Sequence, residues 1–164
     1  MKQGGDKVSV VFVCTGNICR SPTAEGIFIH KVAAAGLAGL IDIDSGGTHG
    51  YHIGEAPDPR TVRHATGRGY DLSHLRARRF DRSDFERFDL VVAMDAANRE
   101  HLARMMRPSS GHKLKMMMAY AKRFNVPEVP DPYYGGPDGF EQVIDLLEDA
   151  TEGLLAELRA WLTG

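Results

Sequence analysis

Hydrophobic runs alternate with amphipathic stretches along the chain, and this alternation predicts four strands and four helices. The first run, VSVVFV, consists of β-branched and aromatic residues, which is typical of a strand buried on both faces. The predicted strands are residues 8–13, 40–43, 88–94 and 113–118. The predicted helices are residues 23–35, 57–66, 96–106 and 140–162, the last of them long and amphipathic.

Strands that alternate with helices predict an α/β fold with a parallel sheet covered by helices on both faces. In such sheets, ligands bind beyond the carboxyl ends of the strands. The segment CTGNICRS, residues 14–21, follows the first strand and therefore lies at such an end. The sequence has no internal repeat, no low-complexity tract and no linker, so we expect a single domain over residues 1–164.

The composition is that of an ordinary globular protein, with 164 residues, 43% hydrophobic and 26% charged. A formal net charge of -2 gives no general basic field that would recruit nucleic acid or a membrane surface. No apolar stretch reaches the roughly 18 residues that span a bilayer. The short polar N-terminus does not resemble a signal peptide, so we expect a cytoplasmic protein without membrane insertion.

The chain has two cysteines, Cys14 and Cys19, and both lie in the segment after the first strand. Two cysteines do not make a disulfide scaffold, and a bridge between these two would close a very small loop. This placement indicates chemistry rather than stabilisation. The seven histidines have no metal-ligand spacing, so we expect no metal site.

The segment from Cys14 to Ser21 has the features of an anion site. A strand, a tight loop and a helix N-terminus direct successive backbone N–H groups and a positive helix dipole toward one point. Gly16 allows the sharp turn, and the guanidinium of Arg20 suits the oxygens of a phosphate. The remaining loop residues are Thr15, Asn17, Ile18 and Cys19.

Cys14 opens this loop, where the positive field stabilises a thiolate. A thiolate beneath a bound phosphate is placed for in-line attack on phosphorus, and Ser21 is a candidate hydrogen-bond donor to the sulfur. A lone cysteine after a strand is more often a small buried hydrophobic residue. The combination of strand, Cys, five residues, Arg, Ser and helix start favours the nucleophile instead.

VFVCTGNICRSPTAEG resembles the signature of the low-molecular-weight protein tyrosine phosphatases, in particular the bacterial members. The resemblance continues in DSGGTHGYHIGEAPDPR, DLSHLRAR, FDLVVAMDAAN and VPDPYYGG, and so runs through nearly the whole chain in order. It implies a four-stranded parallel sheet with helices on both sides, with the phosphate-binding loop after strand 1. It also implies hydrolysis of phosphotyrosine through a phosphocysteine, with no metal or cofactor.

The resemblance assigns further roles near the reacting atoms. Asp131, in the motif DPYYG, matches the general acid that protonates the leaving phenolate and then activates water. The walls of a deep slot for the substrate ring match Ile18, Tyr51, Tyr133 and Tyr134. In the family, the cysteine at the position of Cys19 can form a disulfide with the nucleophile under peroxide, which protects it from over-oxidation.

Other residues match a network that supports the loop. Asn17 matches the residue that holds the loop in a strained conformation, with Ser45 and His74 as its hydrogen-bond partners. Glu25 and Asp44 match acidic groups that would keep His74 protonated. Asp95 also falls on a motif position, but the sequence does not indicate its role.

Two other functions share parts of this pattern. An arsenate reductase of the same fold passes oxidation to two further cysteines, and this chain has none besides Cys14 and Cys19; a reductase that uses an external thiol stays open. A non-catalytic phosphoryl-carrier or binding module lacks the loop Arg and the Asp-Pro-Tyr motif, and both are present here. The expected partner is a tyrosine-phosphorylated protein, with a bacterial tyrosine kinase among the candidates.

Overall fold

The centre of the molecule is a four-stranded parallel sheet, seen in a computed structural model that describes residues 7–133 and 135–163. The strands lie in the order β2-β1-β3-β4, and each neighbouring pair is parallel. Their bounds are β1 (Val8–Cys14), β2 (Ile41–Gly47), β3 (Leu90–Ala93) and β4 (Leu114–Met116). The predicted fold class is confirmed.

Helices cover both faces of this sheet. Within the described residues they are α1 (Arg20–Ala34), α2 (Pro59–Gly67), α3 (Asp84–Arg87), α4 (Ala96–Met105) and α5 (Pro137–Thr163). Two 3-10 helices, Pro108–Lys113 and Met117–Tyr120, flank β4. No helix in this part of the chain combines the length and the apolar character needed to cross a bilayer.

The side chains of β1 alternate between two cores, which explains the continuous apolar run in the sequence. A smaller core, shared with α3 and α4, receives Val11 and Val13. The larger core, shared with α1 and α5, receives Val8, Val10, Phe12 and Cys14. Cys14 therefore ends an interior strand on the face that α1 covers.

The two longest helices begin three residues earlier than the sequence predicts. α1 begins at Arg20 rather than at residue 23, with Pro22 in the first turn, where the missing N–H is tolerated. α5 begins at Pro137 rather than at residue 140, again with a proline in the first turn, where its missing N–H is tolerated. The short helix α3 and the 3-10 helix Pro108–Lys113 were not predicted, because four to six residues are too few for a visible hydrophobic period.

β2 is longer than the sequence predicts, because Gly46 and Gly47 belong to the strand and not to a loop. Gly47 donates its N–H to the carbonyl of Arg78 at 2.9 Å and accepts from Phe80 N–H at 2.8 Å. A Cβ atom on Gly47 would lie 2.8 Å from the carbonyl oxygen of Thr15. Glycine at this position therefore lets the end of β2 lie directly against the loop that follows β1.

β4 is shorter than predicted. Its pairing with β3 ends at Met116, and Met117 and Met118 turn into a 3-10 helix while staying buried. The apolar run is therefore buried as predicted, but its second half is a 3-10 helix and not a strand. Hydrophobic pattern alone does not distinguish these two backbone conformations.

Candidate active site

The loop after β1, here called the phosphate loop (residues 14–20), connects the carboxyl end of an interior strand to the N-terminus of α1. The segment after β2 lies along it, since Thr48 N–H donates to the carbonyl of Cys14 at 2.8 Å and His49 N–H to that of Thr15 at 3.0 Å. The loop backbone is therefore anchored on one side by its neighbouring strand. Its other side faces a pocket.

Cys14 lies at the base of this pocket with 2% of its surface exposed. Its Sγ is 3.0 Å from Ser21 Oγ, and Ser21 N–H donates to the sulfur at 3.4 Å. Ser21 is in the first turn of α1, so the positive end of the helix dipole faces the thiol. Ser21 thus holds the sulfur in place through its side chain and its backbone.

Asn17 has a φ of 57°, in the left-handed region that L-residues rarely adopt. Its side-chain amide is fully used to hold this conformation. Nδ2 donates to Ser21 Oγ at 2.7 Å and to Ser45 Oγ at 2.9 Å, and Oδ1 accepts from Arg78 N–H at 2.9 Å. The turn of the phosphate loop is thus tied to α1, to β2 and to the segment before α3.

Behind Ser45, two carboxylates continue this network. Ser45 Oγ donates to Glu25 Oε1 at 2.6 Å, and Asp44 Oδ1 accepts from Ser45 N–H at 2.8 Å. Burial raises the pKa of Glu25 to about 7, although the hydrogen bond from Ser45 opposes the shift. Glu25 therefore accepts at the end of a hydrogen-bond chain that runs through Ser45, Asn17 and Ser21 to the nucleophile.

The predicted place of His74 in this network is wrong. His74 is exposed, and among the described residues no hydrogen bond joins it to Asn17. The cation beside Asp44 is Arg78, whose guanidinium also contacts the fully buried Asp84 at 2.8 Å. The resemblance indicated a cation near these acids but assigned it to the wrong residue of the DLSHLRAR motif.

Arg20 is 2% exposed and is held by the protein along one edge. Its Nη1 donates to Asp95 Oδ2 at 2.6 Å and to the carbonyl of Val129 at 3.1 Å. Burial opposes its charge, yet Cys14 and Asp95 raise the pKa of the guanidinium above its ordinary value. Asp95, whose role the sequence left open, therefore positions Arg20.

The Nε atom of Arg20 is buried and has no hydrogen-bond partner among the described residues. Its Nη2 donates a long hydrogen bond of 3.4 Å to Thr15 Oγ1, which also accepts from Asn98 Nδ2 at 3.1 Å, and lies 3.6 Å from Asp131 Oδ2. Buried donors normally have partners. The Nε–Nη2 edge is thus suited to a bidentate contact with an oxyanion.

The pocket has a volume of about 160 Å³. Tyr51 and Tyr133 stand at its walls, as the resemblance implies, whereas Tyr134 lies outside the described residues. His52, which the sequence analysis did not single out, also lines it and lies over Gly16. The lining residues are Cys14, Thr15, Gly16, Ile18, Cys19, Arg20, Tyr51, His52, Asp131 and Tyr133.

Asp131 lies at the mouth of this pocket, with 42% of its side chain exposed. Its Oδ2 is 3.6 Å from Arg20 Nη2, and its Oδ1 accepts from Tyr133 N–H at 3.0 Å. The structure therefore brings a carboxylate, a guanidinium and a thiol together around one cavity. In the described part of the chain, no group of three or more His, Cys, Asp or Glu side chains is arranged to hold a metal ion.

Arg60 and Asp58 hold the segment that carries Asp131, and the sequence analysis missed both. Arg60 Nη2 donates to the carbonyl of Tyr133 and to Asp58 Oδ2, each at 3.0 Å. The guanidinium also lies 5.4 Å from the ring centre of Tyr133 and 4.8 Å from that of Phe140. Asp58 N–H in turn donates to the carbonyl of Ile18 at 2.9 Å, which links this contact to the phosphate loop.

Cys19 is a buried free thiol, as is Cys14. Burial raises the pKa of Cys19 to about 12, against a hydrogen bond with Thr61, and the nearby Asp58 and Cys14 act in the same direction as burial. The two cysteines of the loop thus differ in chemistry. Cys19 stays a neutral thiol, whereas Cys14 lies within hydrogen-bond distance of both the hydroxyl and the backbone N–H of Ser21.

Comparison with known proteins gives a consistent result. The model of the family described as low molecular weight phosphotyrosine protein phosphatase matches residues 9–162. A Streptomyces coelicolor protein named low molecular weight protein-tyrosine-phosphatase is 47% identical over 158 residues, which cover 94% of this chain and 96% of the relative.

Two solved structures are similar throughout. The crystal structure of a protein tyrosine phosphatase from Entamoeba histolytica, with Hepes in its active site, has a TM-score of 0.92 at 38% identity and covers 94% of this chain and 98% of its own. That of YfkJ from Bacillus subtilis has a TM-score of 0.87 at 38% identity and covers 95% and 97%. The likeness therefore extends over almost the entire length of each chain.

Proposed function

Because this chain belongs to the low molecular weight phosphotyrosine protein phosphatase family, we propose that Cys14, Arg20 and Asp131 carry out its reaction. The protein is a protein-tyrosine phosphatase, a hydrolase that acts on phosphotyrosine in phosphoproteins. The observation that supports the residue roles is one pocket with Cys14 and Arg20 at its base and Asp131 at its mouth.

In the first step, the thiolate of Cys14 attacks phosphorus. The S–P bond forms as the bond from phosphorus to the tyrosine oxygen breaks, and Asp131 gives its proton to the leaving oxygen. The amides of the phosphate loop and the Nε–Nη2 edge of Arg20 hold the three remaining oxygens. Because these donors are fixed before substrate arrives, they stabilise the transition state without reorganisation.

In the second step, the carboxylate of Asp131 takes a proton from water, and the water oxygen attacks the phosphorus of the phosphocysteine. The S–P bond breaks, inorganic phosphate forms, and Cys14 returns as a thiolate that Ser21 stabilises. The protonated Asp131 is then ready for the next ester. Every proton in this cycle is carried by a side chain of the pocket or by water.

The preference for phosphotyrosine is attributed to the depth and the walls of the pocket. Tyr51, Tyr133 and Ile18 present apolar surface to an aromatic ring whose phosphate reaches Cys14. A phosphoserine side chain is too short to place its phosphate at the base of such a slot. Tyr134 keeps its predicted place in this wall as part of the proposal.

The alternative functions receive no support. The relatives are named as phosphatases, and neither an arsenate reductase nor a phosphoryl carrier explains an acid at the mouth of the pocket. We further propose that residues 1–164 form one domain and that the protein acts in the cytoplasm, where thiols stay reduced. A tyrosine kinase is the proposed source of the phosphorylated substrate.

The disulfide between Cys14 and Cys19 stays a prediction. If the Cys19→Ser variant recovered its activity after peroxide as well as the wild type does, the prediction would be contradicted.

The decisive experiment measures hydrolysis of a phosphotyrosine peptide and of para-nitrophenyl phosphate. We expect no measurable turnover by Cys14→Ser, because a hydroxyl at this position is not ionised. Asp131→Ala should lower kcat on the peptide by about 10²–10³-fold, and less on para-nitrophenyl phosphate, whose leaving group needs less protonation. Asp138→Ala removes an exposed carboxylate outside the pocket and serves as the matched control.

A rapid acid quench followed by mass spectrometry adds a direct readout. Wild-type protein with substrate should carry phosphate on Cys14, and Cys14→Ser should not. Substantial hydrolysis by Cys14→Ser, or phosphate found on another residue, would overturn the assignment.

A further inference from the structure

One rim of the pocket is built from aromatic and cationic side chains that the reaction itself does not use. Tyr51 is 68% exposed and stacks on His49, with ring centres 5.0 Å apart and planes 12° apart. His49 in turn lies beside His101 of α4, with ring centres 5.1 Å apart. Thr48 Oγ1 contacts His49 Nδ1 at 2.8 Å and fixes the ring. A row of two imidazoles therefore continues outward from the wall of the substrate slot.

Arg79 adds a permanent positive charge to this row. A Cβ atom on Gly50 would lie 3.7 Å from Arg79 Cδ, so this side chain runs alongside the turn that carries Tyr51. Its backbone is held by the bridge between Gly47 and Arg79. Arg79 is exposed, and its side chain forms no ion pair or hydrogen bond with any other residue that the structure describes.

Arg79 is the cation of this rim, and the rings of His49 and His101 lie next to each other on the same side of the pocket. Burial lowers the pKa of His101, and His49, Arg104 and Arg79 act in the same direction. Arg104 is neutralised by Glu100 at 3.1 Å, and on the other side of Tyr51 the ring of His52 contacts Glu55 at 3.2 Å. Within the described residues no carboxylate contacts His49, His101 or Arg79, so the charge of Arg79 is not neutralised, although the whole chain carries -2.

We propose that His49, Arg79 and His101, here called the basic rim, bind an acidic side chain next to the phosphotyrosine of the substrate. Tyr51 joins this rim to the wall of the pocket, so residues that flank a bound phosphotyrosine pass beside it, which suits an Asp or Glu within about three residues of the phosphotyrosine. The preferred substrate is thus a phosphotyrosine in an acidic sequence. This inference rests on the proposed function and specifies the substrate class for the same pocket.

The test uses three phosphotyrosine peptides that differ only in flanking residues. One has alanine on both sides, one has glutamates in the three positions before the phosphotyrosine, and one has glutamates in the three positions after it. For the wild type we expect kcat/KM on one glutamate peptide to exceed that on the alanine peptide by roughly two- to fivefold, the range for exposed ion pairs. This ratio should fall as salt concentration rises.

Arg79→Ala should reduce the ratio to near one. Arg159→Ala removes an exposed arginine of α5 that lines no part of the pocket, and should leave the ratio unchanged. Equal kcat/KM on all three peptides would overturn the inference, as would a preference that survives in Arg79→Ala. Failure of the wild type to hydrolyse any of the peptides would instead contradict the proposed function itself, so the two failures are distinguishable.

Discussion

The two loops that form the pocket are held in opposite ways. In the phosphate loop, Asn17 and Arg20 are each 2% exposed, and their side chains hydrogen-bond to several neighbouring elements. In the acid loop (residues 131–133), Asp131 is 42% exposed and approaches Arg20 only at 3.6 Å. The binding half of the site is thus fixed by buried hydrogen bonds. The proton-donating half is more exposed, and Arg60 donates to it at the carbonyl of Tyr133.

This difference follows from what each loop does. Donors to a dianionic phosphate are most effective when they do not reorganise, and burial keeps them in place. A general acid has to approach the leaving oxygen, release product and admit water, which requires a looser attachment. Asp58 connects the two loops, since its N–H donates to Ile18 and its carboxylate contacts Arg60.

Among residues that hold the two loops in place, Asn17 of the phosphate loop is expected to have the largest effect. Asn17→Gly tolerates the positive φ but loses three hydrogen bonds, and we expect kcat/KM to fall by roughly 10–100-fold. The free energy of unfolding should fall by about 2–3 kcal/mol. Asn17→Ala should lose about 1 kcal/mol more, because a Cβ atom disfavours the left-handed conformation.

Urea denaturation and steady-state kinetics of both variants measure these effects. Comparison of the two variants separates backbone strain from lost hydrogen bonds. If both variants kept the kcat/KM of the wild type, the phosphate loop would keep its shape without the Asn17 side chain.

A smaller effect is expected from Arg60, at the base of the acid loop. Arg60→Ala should lower kcat on a phosphotyrosine peptide by roughly tenfold, because a small displacement of Asp131 weakens proton transfer. KM should change little, since the phosphate loop is intact. Turnover of para-nitrophenyl phosphate should fall less, because its leaving group depends less on the acid.

Arg63→Ala is the matched control, because Arg63 lies on the same helix but is exposed. Equal losses on both substrates, or a rise in KM alone, would argue against a role in positioning the acid. If Arg60→Lys restored part of the kcat lost in Arg60→Ala, the positive charge of Arg60 would be what positions the acid loop. If it restored none, the forked geometry of the guanidinium would be required.

The smallest effect on catalysis is expected from Glu25, behind the phosphate loop, whose contribution is to stability. Its pKa is raised to about 7 from an ordinary 4.5, so between these values the folded state keeps a proton that the unfolded state has released. The free energy of unfolding should therefore decrease as pH rises through this window, by up to about 1.4 kcal/mol per pH unit. In Glu25→Gln this contribution should be absent.

Chemical denaturation of both proteins between pH 4.5 and pH 7.5 measures the difference in slope. Identical slopes would show that Glu25 ionises in the folded state as it does in water.

The fold was accessible from the sequence because β1 and α5 carry strong periodic signals. The strand pattern predicted burial on both faces, and the two cores of the structure explain it. The end of β2 is harder to predict. The predicted strand stops at residue 43, because the hydrogen bonds of Gly47 to Arg78 and Phe80 depend on residues far along the chain.

The site shows the same limit. Cys14 and Arg20 lie in one short segment, so their proximity follows from local structure, and the motif match indicated Asp131. The partners of Arg20 and of the acid loop, Asp95 and Arg60, depend on tertiary packing. The assignment of His74 failed because the cation beside Asp44 comes from Arg78, four residues away in the same motif.

The strand order has a consequence for how copies of this protein meet in concentrated solution. In the described part of the sheet, β1 and β3 are interior, and β2 and β4 are the edge strands, with the end of β2 already bridged at Gly47 to Arg79. β4 is three residues long and turns away at once into a 3-10 helix, and β2 carries the exposed Asp42. A very short edge strand and an edge strand with an exposed charge both discourage the strand addition that begins fibrillar aggregation.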